Sequence, residues 1–384
     1  MKILLISDNR YPDGDAGAVR ERVIAKMLIS NGHKVYRVGR FCKETSKIEE
    51  VECFSVPDKG KNNKGNLLNL LFFNMYIKKI IKQSDLENKY DAFFITGLKA
   101  RLVKWIKKYA IKRNIKLIYN SVEFYSHEQF KYGRFARQFI TNRKIALKII
   151  DSNFRVVCIS SFLKELFEKR EGIRTVRIPF VLDVFEIKNK NAKIKNERLE
   201  LSYVGRPGKG KDYIKNFIEA LEMLTSEELK KIHLTIVGIN KEELIRNFNV
   251  SLDTLKHLGD SIDIKGLLSR DDAMIILSKS DFTVLYRSEI EVYAKAGFPT
   301  KVTESLANGI PVITNKTSDL GMYIEDKYNG FIIDDKNSIT SCYRKAIQLS
   351  SEELEKMKKN ARHTAENKLD MHCFERELNN IFID

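Results

Sequence analysis

Short β-branched runs alternate with longer amphipathic stretches along the whole sequence, and this alternation constrains the fold more than any other feature. Two strands can pair in parallel only across a connection long enough to hold a helix, so the pattern reads as βα units building parallel sheets. Strands are predicted at Lys2–Ser7, Lys34–Gly39, Val51–Val56, Asp91–Thr96, Lys116–Asn120, Arg155–Ser160 and Thr175–Pro179. A second series follows at Leu199–Gly205, His233–Gly238, Ser261–Lys265, Phe282–Tyr286, Pro311–Asn315 and Gly330–Ile333. Helices are predicted between them, notably at Ala18–Asn31, Asp212–Leu224, Arg270–Ser280, Thr300–Asn308 and Ser338–Ser350.

The stretch between the two series, IKNKNAKIKNER, is polar and lacks core residues, so it reads as a linker. With 384 residues in the chain, the expectation is a first domain over 1–185, a linker over 186–198 and a second domain over 199–368. A final helix over 369–384 is expected to pack back on the first domain. The fold class expected is α/β, with two doubly wound domains facing each other and a ligand at the carboxyl ends of their strands.

Several function classes drop out on composition. Cys42, Cys53, Cys158, Cys342 and Cys373 show no C-x-x-C spacing, and the six histidines show no H-E-x-x-H pair, so no metal site is expected. The opening MKILLISDNR reads as a buried strand rather than a signal peptide, and no run of 18 apolar residues occurs. A soluble, cytoplasmic protein is expected.

Charge is distributed unevenly. Residues 1–185 carry 37 Lys and Arg against 19 Asp and Glu, a net +18, whereas residues 186–384 carry 31 against 32. A basic half implies an anionic partner or a solvated surface. Two segments concentrate the charge beside apolar residues: Asn66–Lys82, with Lys78, Lys79 and Lys82, and Lys131–Lys148, with Arg134 and Arg137. Each reads either as an interfacial surface or as a core-facing helix with a solvated face. No nucleic-acid-reading module is present, and nucleic acid is not expected as a partner.

Two segments of the second half carry the chemistry. In SYVGRPGKGKD a strand ends at Gly205, and Arg206 and Lys211 flank a Gly-rich turn, placing a guanidinium and an ammonium at the mouth of the sheet. In GFPTKVTESLANGIP, Thr300 reads as the N-cap of a helix whose first N–H groups, near Thr300 and Lys301, suit an anion. Glu304 lies one turn further on the same face as Lys301, placed to accept hydrogen bonds from a vicinal diol such as a ribose. Taken blandly, the first segment is a βα turn and the second a capped helix with a solvated Glu. In the first half, Gly14 and Gly17 lie in the loop YPDGDAGAV, where close approach of a ligand to the backbone requires glycine.

LSYVGRPGKGKDYIKNFIEAL, LTIVGIN, IKGLLSRDDAMIILSKSDFTVLYRS and AGFPTKVTESLANGIPVITN, in this order, resemble the nucleotide-sugar domain of the family-4 retaining glycosyltransferases. ILLISDNRYPDGDAGAVRERVIAKMLISNGHKV, YNSVEFYS, VVCISSFLKELF and VRIPFVLD resemble that family's first domain, so the likeness spans nearly the whole chain. The resemblance implies a GT-B fold, two Rossmann-like domains facing across a cleft. It implies donor-diphosphate binding by Arg206 and Lys211, ribose binding by Glu304, and a nucleobase bracketed near Gly238 and near Leu267–Leu268. The family's earlier glutamate falls at Ala296, with Glu289 and Glu291 as neighbours that could take its place. Where many members carry a cleft-facing His, this sequence has NSVEFYS, with Glu123 to orient an acceptor hydroxyl or simply to end a strand; the nearby His127 is read as structural.

The expected activity is therefore metal-independent, retaining transfer from a nucleoside-diphosphate sugar, UDP-linked, to a glycan or lipid-linked acceptor in cell-surface polysaccharide synthesis. The acceptor is expected to be anionic, and the protein to contact an anionic membrane at its inner face. The alternatives are a nucleotide-sugar epimerase of the same fold and a non-catalytic sugar-nucleotide-binding subunit.

Overall fold

A computed structural model of the chain describes residues 1–40, 47–56, 63–187, 198–208 and 211–383, with the backbone alone over 63–71. Most of the expected linker, Cys42 and positions 209 and 210 of the Gly-rich turn lie outside the described residues. The chain forms two compact units, Met1–Val181 with Met371–Asp384, and Leu182–Asp370.

The first unit is built on an eight-stranded sheet. Its strands are β1 (Lys2–Ser7), β2 (Lys34–Gly39), β3 (Lys47–Ile48), β4 (Val51–Ser55), β5 (Ala92–Thr96), β6 (Lys116–Ser121), β7 (Phe154–Cys158) and β8 (Arg174–Arg177). They lie in the order β3-β4-β2-β1-β5-β6-β7-β8, and all pairs are parallel except β3 with β4. Ile3, Leu4, Leu5 and Ile6 run consecutively and are all buried, because helices cover both faces of a parallel sheet and neither face can be polar. The strand order reverses between β1 and β5, so the loops leaving these two strands diverge and open a crevice at their carboxyl ends.

The helices follow from their apolar stripes. In Ala100–Lys112, Leu102, Val103, Ile106 and Ala110 are buried while Lys104, Lys107 and Lys108 stay wholly or partly in solvent, one face in and one face out. The basic helix Asn63–Asn88 behaves the same way over its described side chains. Phe73, Ile77 and Ile81, one turn apart, are buried, and the Lys78 and Lys82 ammoniums lie over the Trp105 ring. That face belongs to the core, whereas Phe72 and Met75 of the same helix are exposed.

The second unit holds β9 (Leu199–Val204), β10 (Ile232–Val237), β11 (Ile262–Gly266), β12 (Phe282–Leu285), β13 (Val312–Thr314) and β14 (Gly330–Ile332). The order is β11-β10-β9-β12-β13-β14, wholly parallel, with its reversal between β9 and β12.

The dividing line between the units falls before Leu182 rather than after residue 185. The Leu182 N–H donates to the Leu369 carbonyl at 3.1 Å and the Val184 N–H to the Asp370 carboxylate at 2.8 Å, which fixes this stretch to the end of the second unit. Met371–Asp384 then returns to the first unit. Met371, Leu378, Ile381 and Phe382 are buried in the same cluster as Ile3, Leu5, Met27 and Ile118. Among the described residues no helix is long and apolar enough to cross a membrane.

Candidate functional site

The second unit's switch point is where its charged residues gather. The loop leaving β9 carries Arg206, Lys211 and Asp212; the loop leaving β12 carries Arg287; and Lys301 and Glu304 come from the helix Thr300–Ala307. Asp212 is the hub. Its carboxylate accepts from Arg287 Nε at 2.5 Å, from Lys301 Nζ at 2.8 Å and from the Tyr203 hydroxyl at 2.6 Å. Asp212 and Arg287 are almost fully buried, and their pair joins the two loops across the point where the strand order reverses. Burial alone would raise the Asp212 carboxyl, but Arg287 and Lys301 hold it far below the ordinary carboxylate range. Burial in turn lowers the Lys301 ammonium, against the pull of Asp212. Sequence reasoning missed Asp212 and Arg287. The one available signal was a charged residue, Arg287, two positions beyond the apolar strand FTVL.

The structure gives the Lys301 side chain a role of its own and revises one expectation, the N-cap. The Lys301 ammonium is committed to Asp212 and lies 4.9 Å from the Tyr203 ring centroid, so its side chain secures the loop after β9. The N-cap position is held by Pro299 without a side-chain cap, and Thr300 is the first helical residue. Proline suits a helix entrance because its missing N–H has no partner to lose there.

Arg206 remains at the surface. Its side chain is 70 % exposed and its guanidinium stands 3.6 Å from Glu243. Lys211 follows at the turn, with its N–H donating to the Gly208 carbonyl at 2.9 Å. Glu304 is only 14 % exposed, and its Oε1 accepts from Arg270 Nη2 at 2.9 Å. Position 296 is a fully buried alanine at the end of the helix Val292–Ala296. Nearby, Glu289 accepts from the Asn315 amide at 2.8 Å, and the Glu291 residue caps that helix without a side-chain bond.

Two glycines fit their backbones and no other residue would. Gly205 has φ +126° and Gly238 φ +105°, the left-handed side that L side chains avoid. A Cβ on Gly238 would sit 2.5 Å from the Gly205 carbonyl, and one on Gly205 would sit 2.7 Å from Lys301 Cε. The ends of β9 and β10 therefore press their bare backbones together beside Lys301. Leu267 and Leu268, after β11, are exposed, at 68 % and 38 %. Apolar side chains held out at the end of a strand offer a surface for a flat ring.

In the first unit, Gly17 has a packing reason of its own. A Cβ there would fall 2.6 Å from Asn9 Oδ1, and the Asn9 amide donates to Glu21 at 2.8 Å. The buried Glu21 also accepts from Ser7 at 2.5 Å and from Arg37 at 3.0 Å, so the loop after β1 is tied down from within. Glu123 lines a cavity of about 450 Å³ at the carboxyl ends of β5 and β6. His127 lies on a short 3₁₀ turn, with Nδ1 3.0 Å from Glu128 and its ring against Phe139, and does not line that cavity.

Residues 184–364 match the family described as glycosyl transferases group 1. No curated protein matches the sequence. Among solved structures, the chain is similar to Anabaena HepE, crystallised with UDP and glucose, at 15 % identity and a TM-score of 0.69, covering 99 % of this chain and 98 % of that one. It is also similar to WaaG, a glycosyltransferase involved in lipopolysaccharide biosynthesis, at 18 % identity and 0.69 over the full length of both. A third is sucrose-phosphate synthase from Thermosynechococcus elongatus, at 14 % identity and 0.70, covering 100 % of this chain and 98 % of that one. These neighbours share the two-domain GT-B fold. The likeness to these structures shows the fold, and through residues 184–364 the second unit is similar to the glycosyl transferases group 1.

Proposed function

We propose that this protein moves a glycosyl group from a UDP-sugar to a hydroxyl of a glycan or lipid-linked acceptor, with retention at the anomeric carbon. One observation carries the reading: Arg206 and Lys211 leave β9 at the switch point of a group 1 domain, with the acidic Glu304 on the helix Thr300–Ala307 of the same domain. UDP in the HepE complex supports a UDP-linked donor.

In this reading Arg206 and Lys211 bind the diphosphate, and Glu304 takes the ribose hydroxyls. The uracil lies between the bare strand ends at Gly205 and Gly238 and the leucines Leu267 and Leu268. The bond from the anomeric carbon to the β-phosphate oxygen breaks, and its electron pair leaves with UDP. The acceptor oxygen bonds to the same face of that carbon, and its proton passes to the departing phosphate oxygen. Arg206 and Lys211 stabilise the charge that builds on that phosphate, the electrostatic contribution that usually dominates such reactions. These side chains supply the charge themselves, so turnover is expected to survive EDTA. Product masses from a screen of UDP-sugars with a lipid-linked acceptor pool test the assignment. Conversion of the donor alone would identify an epimerase, and binding without transfer or hydrolysis a non-catalytic subunit.

The Glu304 assignment has a sharper test. Glu304→Gln keeps the shape and removes the charge, so UDP affinity is expected to fall by about 1.5–3 kcal/mol, the range for a hydrogen bond to a charged group. The deficit should disappear for 2′,3′-dideoxy-UDP. An equal loss for both nucleotides would take Glu304 off the ribose.

An anionic membrane is the second partner in this reading, at the inner face of the membrane where lipid-linked precursors of cell-surface polysaccharide are built. It is supported by Tyr132 and Phe135, 72 % and 87 % exposed, which directly follow Lys131 and Arg134. Aromatic rings held out beside cations suit the interface of an anionic leaflet, where each cation contributes about 1 kcal/mol. Sedimentation with vesicles rich in anionic lipid, and not with neutral vesicles, is the expected result. Lys131→Glu with Arg134→Glu should abolish it and leave UDP binding intact.

A further inference from the structure

The first unit contains a cavity that the donor reading does not use. It opens at the carboxyl ends of β5 and β6, on the side where the strand order reverses, and its volume of about 450 Å³ suits a small polar ligand. Its walls are held in place by hydrogen bonds. The Asn142 amide donates to the Glu123 carbonyl at 3.0 Å and accepts from the Tyr125 N–H at 3.1 Å, fixing the chain that leaves β6 to the helix Arg137–Lys144. Arg143 of that helix lies 3.7 Å from the Phe124 ring centroid and donates to the Tyr125 carbonyl at 3.1 Å.

Three charged side chains line this fixed cavity: Lys99, Arg137 and Glu123. Among the described residues neither Lys99 nor Arg137 forms an ion pair, and Asp8, an acidic neighbour of Lys99, is paired with Arg40. Burial, with Arg137 and Arg40 nearby and Asp8 opposing them, holds the Lys99 ammonium below the ordinary lysine range. The two cations outnumber the single carboxylate of Glu123 in this cavity, and an anion entering between Lys99 and Arg137 offsets the excess. Glu123 accepts a hydrogen bond from the Tyr125 hydroxyl, so the acidic side of the cavity is oriented as well.

We propose that this cavity binds the acceptor by a phosphoryl group, held by Lys99 and Arg137, while Glu123 accepts a hydrogen bond from a neighbouring sugar hydroxyl. The proposal rests on the transferase reading, and it narrows the acceptor from anionic molecules in general to phosphorylated sugars. An ammonium and a guanidinium together match a dianion better than a single carboxylate. The phosphoryl group belongs either to a soluble sugar phosphate or to a lipid headgroup.

The test titrates inorganic phosphate into the full chain with UDP already saturating, so that the diphosphate site of the second unit is filled. One binding event is expected. Lys99→Gln with Arg137→Gln should weaken it at least tenfold, and Glu123→Gln should tighten it severalfold by removing a repelling charge. Lys99 caps its helix without a side-chain bond and Arg137 is exposed, so the double variant is expected to fold, with UDP affinity as the control. Glucose 6-phosphate should bind and glucose should not. Phosphatidic acid in detergent, compared with glucose 6-phosphate, separates the lipid source from the soluble one. Phosphate binding that ignores both substitutions, or glucuronate binding as tightly as glucose 6-phosphate, would overturn the proposal. Failure of UDP itself to bind would count against the donor reading and leave the response to Lys99 and Arg137 to be read alone.

Discussion

Asp212→Asn is expected to destabilise the second unit by about 3–5 kcal/mol, the cost of removing one partner from a buried ion pair. Asparagine fills the same space but cannot neutralise Arg287 and Lys301, both of which bond to Asp212 from largely buried positions. Two cations would then face each other without a counter-ion, and the loops after β9 and β12 would lose the contact that joins them. Chemical denaturation of the full chain, followed by a probe in residues 182–370, measures the loss. Its pH dependence has a definite sign. The Asp212 carboxyl titrates below its ordinary range in the folded state, so its contribution is complete above that range and fades as the pH falls through it. Wild type and variant should therefore converge in acid. A gap that persists undiminished to low pH would show that packing, rather than charge, makes Asp212 important.

Arg206→Ala should act in the opposite sense, with a large effect on turnover and little on stability. Losing one preorganised charge at the leaving group lowers turnover about a hundredfold or more. The side chain is mostly in solvent, so unfolding should shift by no more than about 0.5 kcal/mol. Lysine at this position should recover only part of the rate, since an ammonium lacks the planar fork of guanidinium. Unchanged turnover would remove Arg206 from the diphosphate. The two substitutions thus separate scaffold from chemistry within a single loop.

What the sequence revealed follows the physics of each element. β1 and β5 were legible because both faces are covered, which leaves unbroken apolar runs such as Ile3–Ile6. β3 was not legible: it has two residues, lies at the sheet edge and pairs antiparallel, so nothing in Lys47–Ile48 distinguishes it from a turn. Arg206, Lys211 and Glu304 stood out because cations beside glycines and a carboxylate on a capped helix are local patterns. The role of Lys301 was not legible, because its partner Asp212 lies 89 residues away and only the fold brings them together. Gly17 was read as making room for a ligand, and the further demand that a Cβ there would meet Asn9 was not legible because only the fold brings the two together. Residue preference favoured Thr300 as a cap, but the preceding proline already sets the helix entrance.

The return of Met371–Asp384 to the first unit bears on the order in which the molecule can be assembled. Synthesis runs from the amino end, and domains ordinarily fold as they emerge from the ribosome. Here the core around the sheet that begins at Lys2 stays unfinished until Met371–Asp384 have left the exit tunnel. Ile381 and Phe382 fill its apolar interior, and their carbonyls accept from Arg155 at 2.6 Å and from Lys116 at 2.8 Å. The amino-terminal half must therefore wait, with part of its interior open to water, while the whole of the carboxyl-terminal half is made. A gene cut after Val181 would yield a fragment lacking its own keystone, and a fusion joined at residue 384 would load the half of the protein that was translated first.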